Sequence, residues 1–156
     1  MSVYKEMIIF ICFAVFVLYL IISKIRLEIR RRNKRILADA KMYEVDRMSG
    51  QEFENYLEAL FYSKGYRSIV TQSSYDYGAD LIMQNGNKNI VIQAKRYKGK
   101  VGVKSVMEIY SAQAFYKADE AYVFTNSYFT KQAKELAIAT NVILCDRDAI
   151  INLRNK

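Results

Sequence analysis

Seventeen consecutive uncharged residues, MIIFICFAVFVLYLIIS from Met7 to Ser23, set the strongest limit on what this chain can fold into. At about 1.5 Å rise per residue, a helix of this length reaches the short end of what crosses a bilayer. The run is apolar around its whole circumference, so as a helix it needs lipid or a much larger protein around it. A cleaved leader fits poorly, because no small-x-small site follows and a basic cluster comes immediately after. The flanks set a direction. Upstream lie Lys5 and Glu6; downstream come Lys24, Arg26, Arg30, Arg31, Arg32, Lys34 and Arg35. The positive-inside rule predicts a single-pass anchor in a bacterial-type cell membrane, with the C-terminal side cytoplasmic. The expected organisation is an anchor over 1–24, embedded in lipid through 7–23, a basic juxtamembrane helical stalk over 25–45 and a globular domain over 46–156. Ile25, Ile29, Ile36 and Ala40 fall near one face of that stalk.

Composition removes whole classes of chemistry. The chain has no histidine, which excludes His-based zinc sites, Ser-His-Asp triads and Cys-His dyads. Cys12 and Cys145 are too few and too far apart for a disulfide framework, so a reducing compartment is expected. Cys12 falls in the lipid segment and Cys145 reads as packing. Net charge is +8, which favours an anionic partner, phospholipid or nucleic acid. Residues 1–45 carry nine of the 24 basic side chains but four of the 16 acidic ones, so much of the excess belongs to the membrane flank.

In the globular part, Ser49 and Glu52 form a capping-box pair ahead of a helix with Phe53, Leu57, Leu60 and Phe61 on its inner face. Gly65 ends it as a C′ glycine. YRSIVTQS reads as a strand, followed by two alternating segments flanking Asn85-Gly86. VKSVMEIYSAQAFYKA is a helix with Val103, Val106, Ile109, Tyr110 and Ala114 inward. EAYVFTNS is a buried strand, TKQAKELAIAT a helix capped by Thr130, NVILCD a strand and RDAIINLR a final helix. The predicted order is α-β-β-β-α-β-α-β-α.

The hairpin carries the chemistry. Alternation puts Asp80 and Ile82 on one face, against Ala79, Leu81 and Met83 on the other. In its partner, Val91, Gln93 and Lys95 oppose Ile90, Ile92 and Ala94. A four-residue loop, Asn85 to Lys88, pairs Gln84 with Asn89 and sets Asp80 opposite Gln93; a two-residue Asn-Gly turn slides the pairing by two but keeps the same faces together. Either gathers Asp80, Gln93 and Lys95 on one side. A hard cation such as Mg²⁺ takes oxygen ligands. Asp80 offers an anionic oxygen, Gln93 a neutral carbonyl and Ala94 its backbone carbonyl, while Lys95 would orient a water and stabilise charge on a phosphate. Glu54, beside the apolar seam of the first helix, is the favoured further acid for metal and catalysis, with Glu58 one turn on as second choice. The plainer reading of the trio is a sheet edge carrying ordinary polar residues.

KRYKGKVGVK places Lys95, Arg96, Lys98, Lys100 and Lys104 together without an acid, a flexible loop suited to tracking phosphates; the alternative is a solvated surface loop. Tyr97 can stack on a base or simply pack. Asn126, Ser127 and Thr130 stand where a strand enters a helix N-terminus, an anion site or a plain cap. Asp76 reads as a residue that sets the start of its strand.

From Ser49 onward the chain resembles the Mrr-like restriction endonuclease domain, a branch of the PD-(D/E)xK nuclease superfamily. The matching pieces are GQEFENYLEALFYSKGY, SSYDYGADLIMQ, VIQAKRYKGKVGVKSVMEIYSA, YVFTNSYFT and LCDRDAI, about two-thirds of the chain in order. The resemblance implies an α/β fold, a restriction-endonuclease-like mixed central sheet flanked by helices, and Mg²⁺-dependent phosphodiester cleavage. It sets Asp80, Gln93 and Lys95 at the signature positions and Glu54 at the first-helix glutamate. Glutamine at the central position is a variant of this branch. Such enzymes usually carry a recognition domain ahead of the nuclease, where this chain has an anchor and stalk, so recognition of modified DNA does not carry over. The expected function is a membrane-tethered, cytoplasm-facing Mg²⁺-dependent endonuclease on DNA, resembling type IV restriction and acting in defence. No small-molecule cofactor is expected, and cutting both strands with one site per chain implies a homodimer. The alternative is a non-catalytic, membrane-anchored nucleic-acid-binding module on a degenerate nuclease fold.

Overall fold

In the computed structural model, which describes residues 2–71 and 77–155, the chain divides into two compact units, Met1–Asn33 and Lys34–Lys156. The first unit is the greater part of one helix, α1 (Ser2–Ala38). Its stretch from Met7 is long and apolar enough to cross a membrane, and none of the apolar window is buried against protein. Ile9, Phe10, Phe13 and Tyr19 stand 64–72% exposed, surface that water penalises and lipid does not.

The second unit contains a short helix α2 (Met42–Val45), then α3 (Gly50–Ser63), β1 (Arg67–Val70), β2 (Leu81–Asn85), β3 (Lys88–Lys95), α4 (Val103–Tyr116), β4 (Glu120–Thr125), α5 (Lys131–Thr140), β5 (Ile143–Cys145) and α6 (Arg147–Asn155). From α3 onward this is the predicted order. Among the described residues, five strands lie in sequence order in one mixed sheet. β1, β2 and β3 pair antiparallel; β3, β4 and β5 pair parallel, joined by crossover helices as parallel neighbours require. Helices α3 and α6 pack with Leu81, Met83, Ile90, Ile92 and Phe124. Helices α4 and α5 pack with Val91, Ala121 and Val123 on the other face.

Helix α3 begins and ends as its sequence dictates. The Ser49 hydroxyl accepts from the Glu52 N–H and the Glu52 carboxylate accepts from the Ser49 N–H, which satisfies two donors at the exposed end. At the other end Tyr66 N–H reaches the Phe61 carbonyl and Gly65 N–H reaches that of Tyr62. This pair of hydrogen bonds needs the left-handed backbone that Gly65 supplies at φ 85°. The inward side chains Phe53, Tyr56 and Leu57 are wholly buried.

The hairpin register pairs Leu81 with Ile92 and Gln84 with Asn89, as the four-residue loop predicts, and the ladder continues one pair further to Asn85 and Lys88. Gly86, at φ 60°, supplies the positive dihedral of the resulting Gly86-Asn87 turn.

Three expectations change. Along α4 the buried stripe is Val106, Ile109 and Ala112, whereas Tyr110 is 51% exposed and Ala114 is exposed too. Apolar residues occur all round this helix, so periodicity alone mistook a second apolar stripe for the core. Ala79, expected beside Leu81 and Met83, packs in the α4-side cluster because the chain bends at Asp80 and alternation starts only at Leu81. Residues assigned to the stalk also join the second unit's core: Ala38, Ala40, Met42 and Val45 are buried. Lys34 there bonds Glu58 at 2.8 Å and lies over the Tyr62 ring. Asp76 lies outside the described residues.

A fragment starting at Lys34 should therefore be more stable than one starting at Asp46, by about 3 kcal/mol from the apolar surface of Met42 and Val45 alone. Equal denaturation midpoints for the two fragments would mean that this segment contributes nothing to the core.

Candidate active site

The hairpin delivers three polar groups to the face covered by α4. Asp80 precedes β2; its N–H donates to the Ile92 carbonyl and its carboxylate accepts from the Ala94 N–H at 2.7 Å. A strand residue projects its N–H and C=O to the same edge, so the Ala94 carbonyl also faces the Asp80 side. Gln93 and Lys95 follow on alternate positions of β3. Gln93 is 2% exposed. Lys95 is half-buried.

The α4 helix adds a group that sequence reasoning missed. Glu108 lies beside the buried stripe of Val106 and Ile109, and so leans over β3. Its carboxylate accepts from Gln93 Nε2 at 2.9 Å and pairs with Lys95 Nζ at 3.3 Å and Lys104 Nζ at 3.7 Å. The signal was present, since Glu108 is the sole acidic residue between Asp80 and Asp119. Burial pushes its carboxyl upward, but the Gln93 amide, Lys95 and Lys104 outweigh burial and hold it below the usual 4.5. Asp80, Gln93, Lys95 and Glu108 line one open cavity of about 490 Å³ with Tyr77, Gly78, Met107 and Ser111. Gly78 fits there by necessity: at φ 93° it brings backbone against α4, and a Cβ would meet the Glu108 carbonyl at 2.9 Å.

The remaining oxygen of Gln93 is the decisive feature. With Nε2 committed to Glu108, the buried Oε1 has no hydrogen-bond partner among the described residues. Such a carbonyl costs about 1–3 kcal/mol unless something fills its lone pairs. A hard cation does so, and the donor set of carboxylates and neutral carbonyls is of the right kind for Mg²⁺. No cluster of three or more His, Cys, Asp and Glu able to hold a metal occurs among the described residues.

Glu54 is placed by α3. It belongs to α3, which packs on the opposite face of the sheet; its carboxylate accepts from Gln51 at 2.9 Å, and it does not line this cavity. Glu58 is taken by Lys34.

The basic segment forms a second groove of about 470 Å³, lined by Lys95, Arg96, Tyr97, Lys100 and Lys104, with Gly50 from the start of α3. It shares Lys95 and Glu108 with the first. The loop is fastened at both ends. Tyr97 N–H donates to Asn126 Oδ1, and Val101 bridges Phe129. Lys98 stands apart, in a neighbouring groove with Ser127, Asn126 and Arg147. Asn126 is buried and also donates to Asp46, whose carboxylate accepts from Arg147 at 2.7 Å. This bond to Arg147 holds Asp46 below the ordinary carboxylate value. The Thr130 hydroxyl accepts from the Ala133 N–H and so caps α5. Tyr97 is 57% exposed. Burial, with Asp146 adding to it, pushes the Cys145 thiol up to about 12, consistent with packing.

Two outcomes follow from this geometry. Gly78→Ala should cost about 1–3 kcal/mol in denaturant unfolding, combining a strained dihedral with the clash at α4; an unchanged midpoint would refute the close approach. Because the Glu108 carboxyl is depressed, its stabilising contribution is complete above the usual 4.5 and fades as pH falls through its lower folded value. Stability of Glu108→Gln should thus fall less steeply below pH ~4.5 than that of the native chain, and parallel acid limbs would contradict the ion pair.

Comparison with known proteins agrees with this architecture. The profile of the Mrr_cat family, described as restriction endonuclease, matches residues 45–154. Among solved structures, the DNA modification-dependent restriction endonuclease AspBHI is similar at 26% identity with a TM-score of 0.57, over 73% of this chain and 34% of that one. A protein of unknown function, AF1548, is similar in fold at 14% identity and a TM-score of 0.54, over 64% of this chain and 63% of that one. The match thus spans less than two thirds of either chain's own length. No curated protein matches. With its five-stranded mixed sheet flanked by helices and the family profile filling nearly the whole second unit, the chain belongs to the Mrr-type restriction endonuclease family.

Proposed function

We propose that this protein is a membrane-tethered endonuclease that hydrolyses DNA phosphodiester bonds with Mg²⁺, its nuclease unit on the cytoplasmic side. The observation that carries the reading is the buried Gln93 Oε1, without a hydrogen-bond partner among the described residues, in one cavity with Asp80 and Lys95. In this reading Asp80, Gln93 Oε1 and the Ala94 carbonyl hold the ion. Bound Mg²⁺ would polarise the phosphate and lower the pKa of a coordinated water. The chain's own residues do the rest. Lys95 orients the attacking water and stabilises charge developing on the phosphate oxygens. Arg96, Lys100 and Lys104 hold the flanking phosphates along the groove that shares Lys95. Lys98, Ser127 and Thr130 extend the phosphate contacts beyond it. Glu54 does not line the cavity of Asp80 and Gln93, and this reading does not use it.

The basic residues that follow the apolar helix support the cytoplasmic orientation. Tethering would concentrate the enzyme where foreign DNA enters, which suits a restriction-like role in defence. Two copies would supply the two sites that a double-strand cut needs.

The full chain in detergent micelles should cut DNA when Mg²⁺ is present and stop when it is chelated. Asp80→Ala and Lys95→Ala should each lower the rate by about 100-fold or more. Salt-sensitive DNA binding without cleavage, across Mg²⁺, Mn²⁺ and several DNA forms, would favour the non-catalytic binding module instead.

A further inference from the structure

We infer that Glu108 is the second carboxylate of the metal centre, supplied from α4 because β3 carries a carboxamide at Gln93. The inference rests on the nuclease reading above and deepens it.

A dication needs negative charge around it. Two carbonyl oxygens and one aspartate leave a Mg²⁺ ion with a single formal negative charge from protein, and oxygen sites gain affinity with ligand charge. Between Asp80 and Asp119 the sequence offers one further acid, Glu108, and the fold brings it to the cavity that Asp80 and Gln93 line. The contact is specific. One Glu108 oxygen, Oε2, receives both the Gln93 amide and the Lys95 ammonium, while Oε1 meets Lys104 at 3.7 Å. Lys104 is 88% exposed, so that pair is weakly held and readily exchanged for a dication.

The same bond fixes the amide. A primary amide presents its carbonyl on the side opposite its NH₂, so donating Nε2 to Glu108 decides where Oε1 points. Removing the acid would leave Gln93 free to turn over and offer the wrong atom. Glu108 therefore has two separable properties: its charge toward the ion and its hydrogen-bond acceptance toward Gln93. Glu108→Gln keeps an acceptor and loses the charge. Gln93→Glu restores a charge on β3.

The test is Mn²⁺ affinity of the full chain in detergent micelles, read by electron paramagnetic resonance of free Mn²⁺ without DNA, with folding followed by circular dichroism. Glu108→Gln should weaken Mn²⁺ binding about tenfold or more, and Gln93→Glu/Glu108→Gln should recover most of the native affinity. Native affinity in folded Glu108→Gln overturns the assignment and leaves the nuclease reading standing, since Glu108 would then serve only to orient its neighbours. A double variant no tighter than Glu108→Gln overturns it equally. Should Glu108→Gln fail to fold, the folded double variant decides: native-like affinity upholds the assignment, and weak binding overturns it. Absence of Mn²⁺ binding by the native chain sinks the metal-dependent reading itself.

Discussion

The pairing of Leu81 with Ile92 in the β2–β3 hairpin is the constraint on which the rest of the second unit depends. It sends Leu81, Met83, Ile90 and Ile92 into the core under α3. The same alternation sends Gln93 and Lys95 to the α4 face and brings Asp80 beside them. A slip of one residue would exchange the two sets, moving four large apolar side chains out of the core under α3 and setting Gln93 and Lys95 beneath that helix. Buried aliphatic or thioether side chains are worth about 1.5–3 kcal/mol each, so hydrophobic burial fixes the register and the polar groups ride on it. The stability of the core and the geometry of the site are therefore one fact about a single ladder.

Around that ladder, polar groups are placed by other polar groups. The Ala94 N–H holds Asp80, Glu108 holds the Gln93 amide, and Asn126 holds the backbone where the basic loop leaves β3. Asn126 in turn answers to Asp46 and Arg147, so the turn before α3, the end of β4 and the start of α6 meet at one carboxylate. Such networks fix directions rather than add much net stability. The cost of fixing the Gln93 amide is a buried oxygen with no hydrogen-bond partner among the described residues.

Much of this was legible in the sequence because local chemistry and tertiary packing agree. Ser49 with Glu52 and Gly65 mark the ends of α3, and the alternation through β3 sorts its side chains between the two faces of the sheet. The hairpin faces were legible for the same reason. Legibility failed where packing decides between equivalent patterns. Along α4, Tyr110 and Ala114 form as good an apolar stripe as Ile109 and Ala112, and only the sheet selects between them. Glu54, adjacent to the apolar seam of its helix, was expected to lean over the sheet towards Asp80; α3 packs on the face of Leu81 and Ile92, and Glu54 does not line the cavity of Asp80 and Gln93. Glu108 went unread because a lone acid in a helix, four residues after Lys104, reads as an ordinary surface ion pair. The stalk boundary was blurred by the same limit, since nothing local says that Met42 and Val45 find a core.

The central proposal is that the cavity under α4 is a metal centre for phosphate chemistry. Crystals of the protein soaked in Mn²⁺, with diffraction measured for anomalous scattering, address this most directly. The expected result is a single strong peak within coordination distance of the Asp80 carboxylate and Gln93 Oε1, with Lys95 beside it. A cavity without a peak, with Gln93 Oε1 bonded to a protein donor, would contradict it.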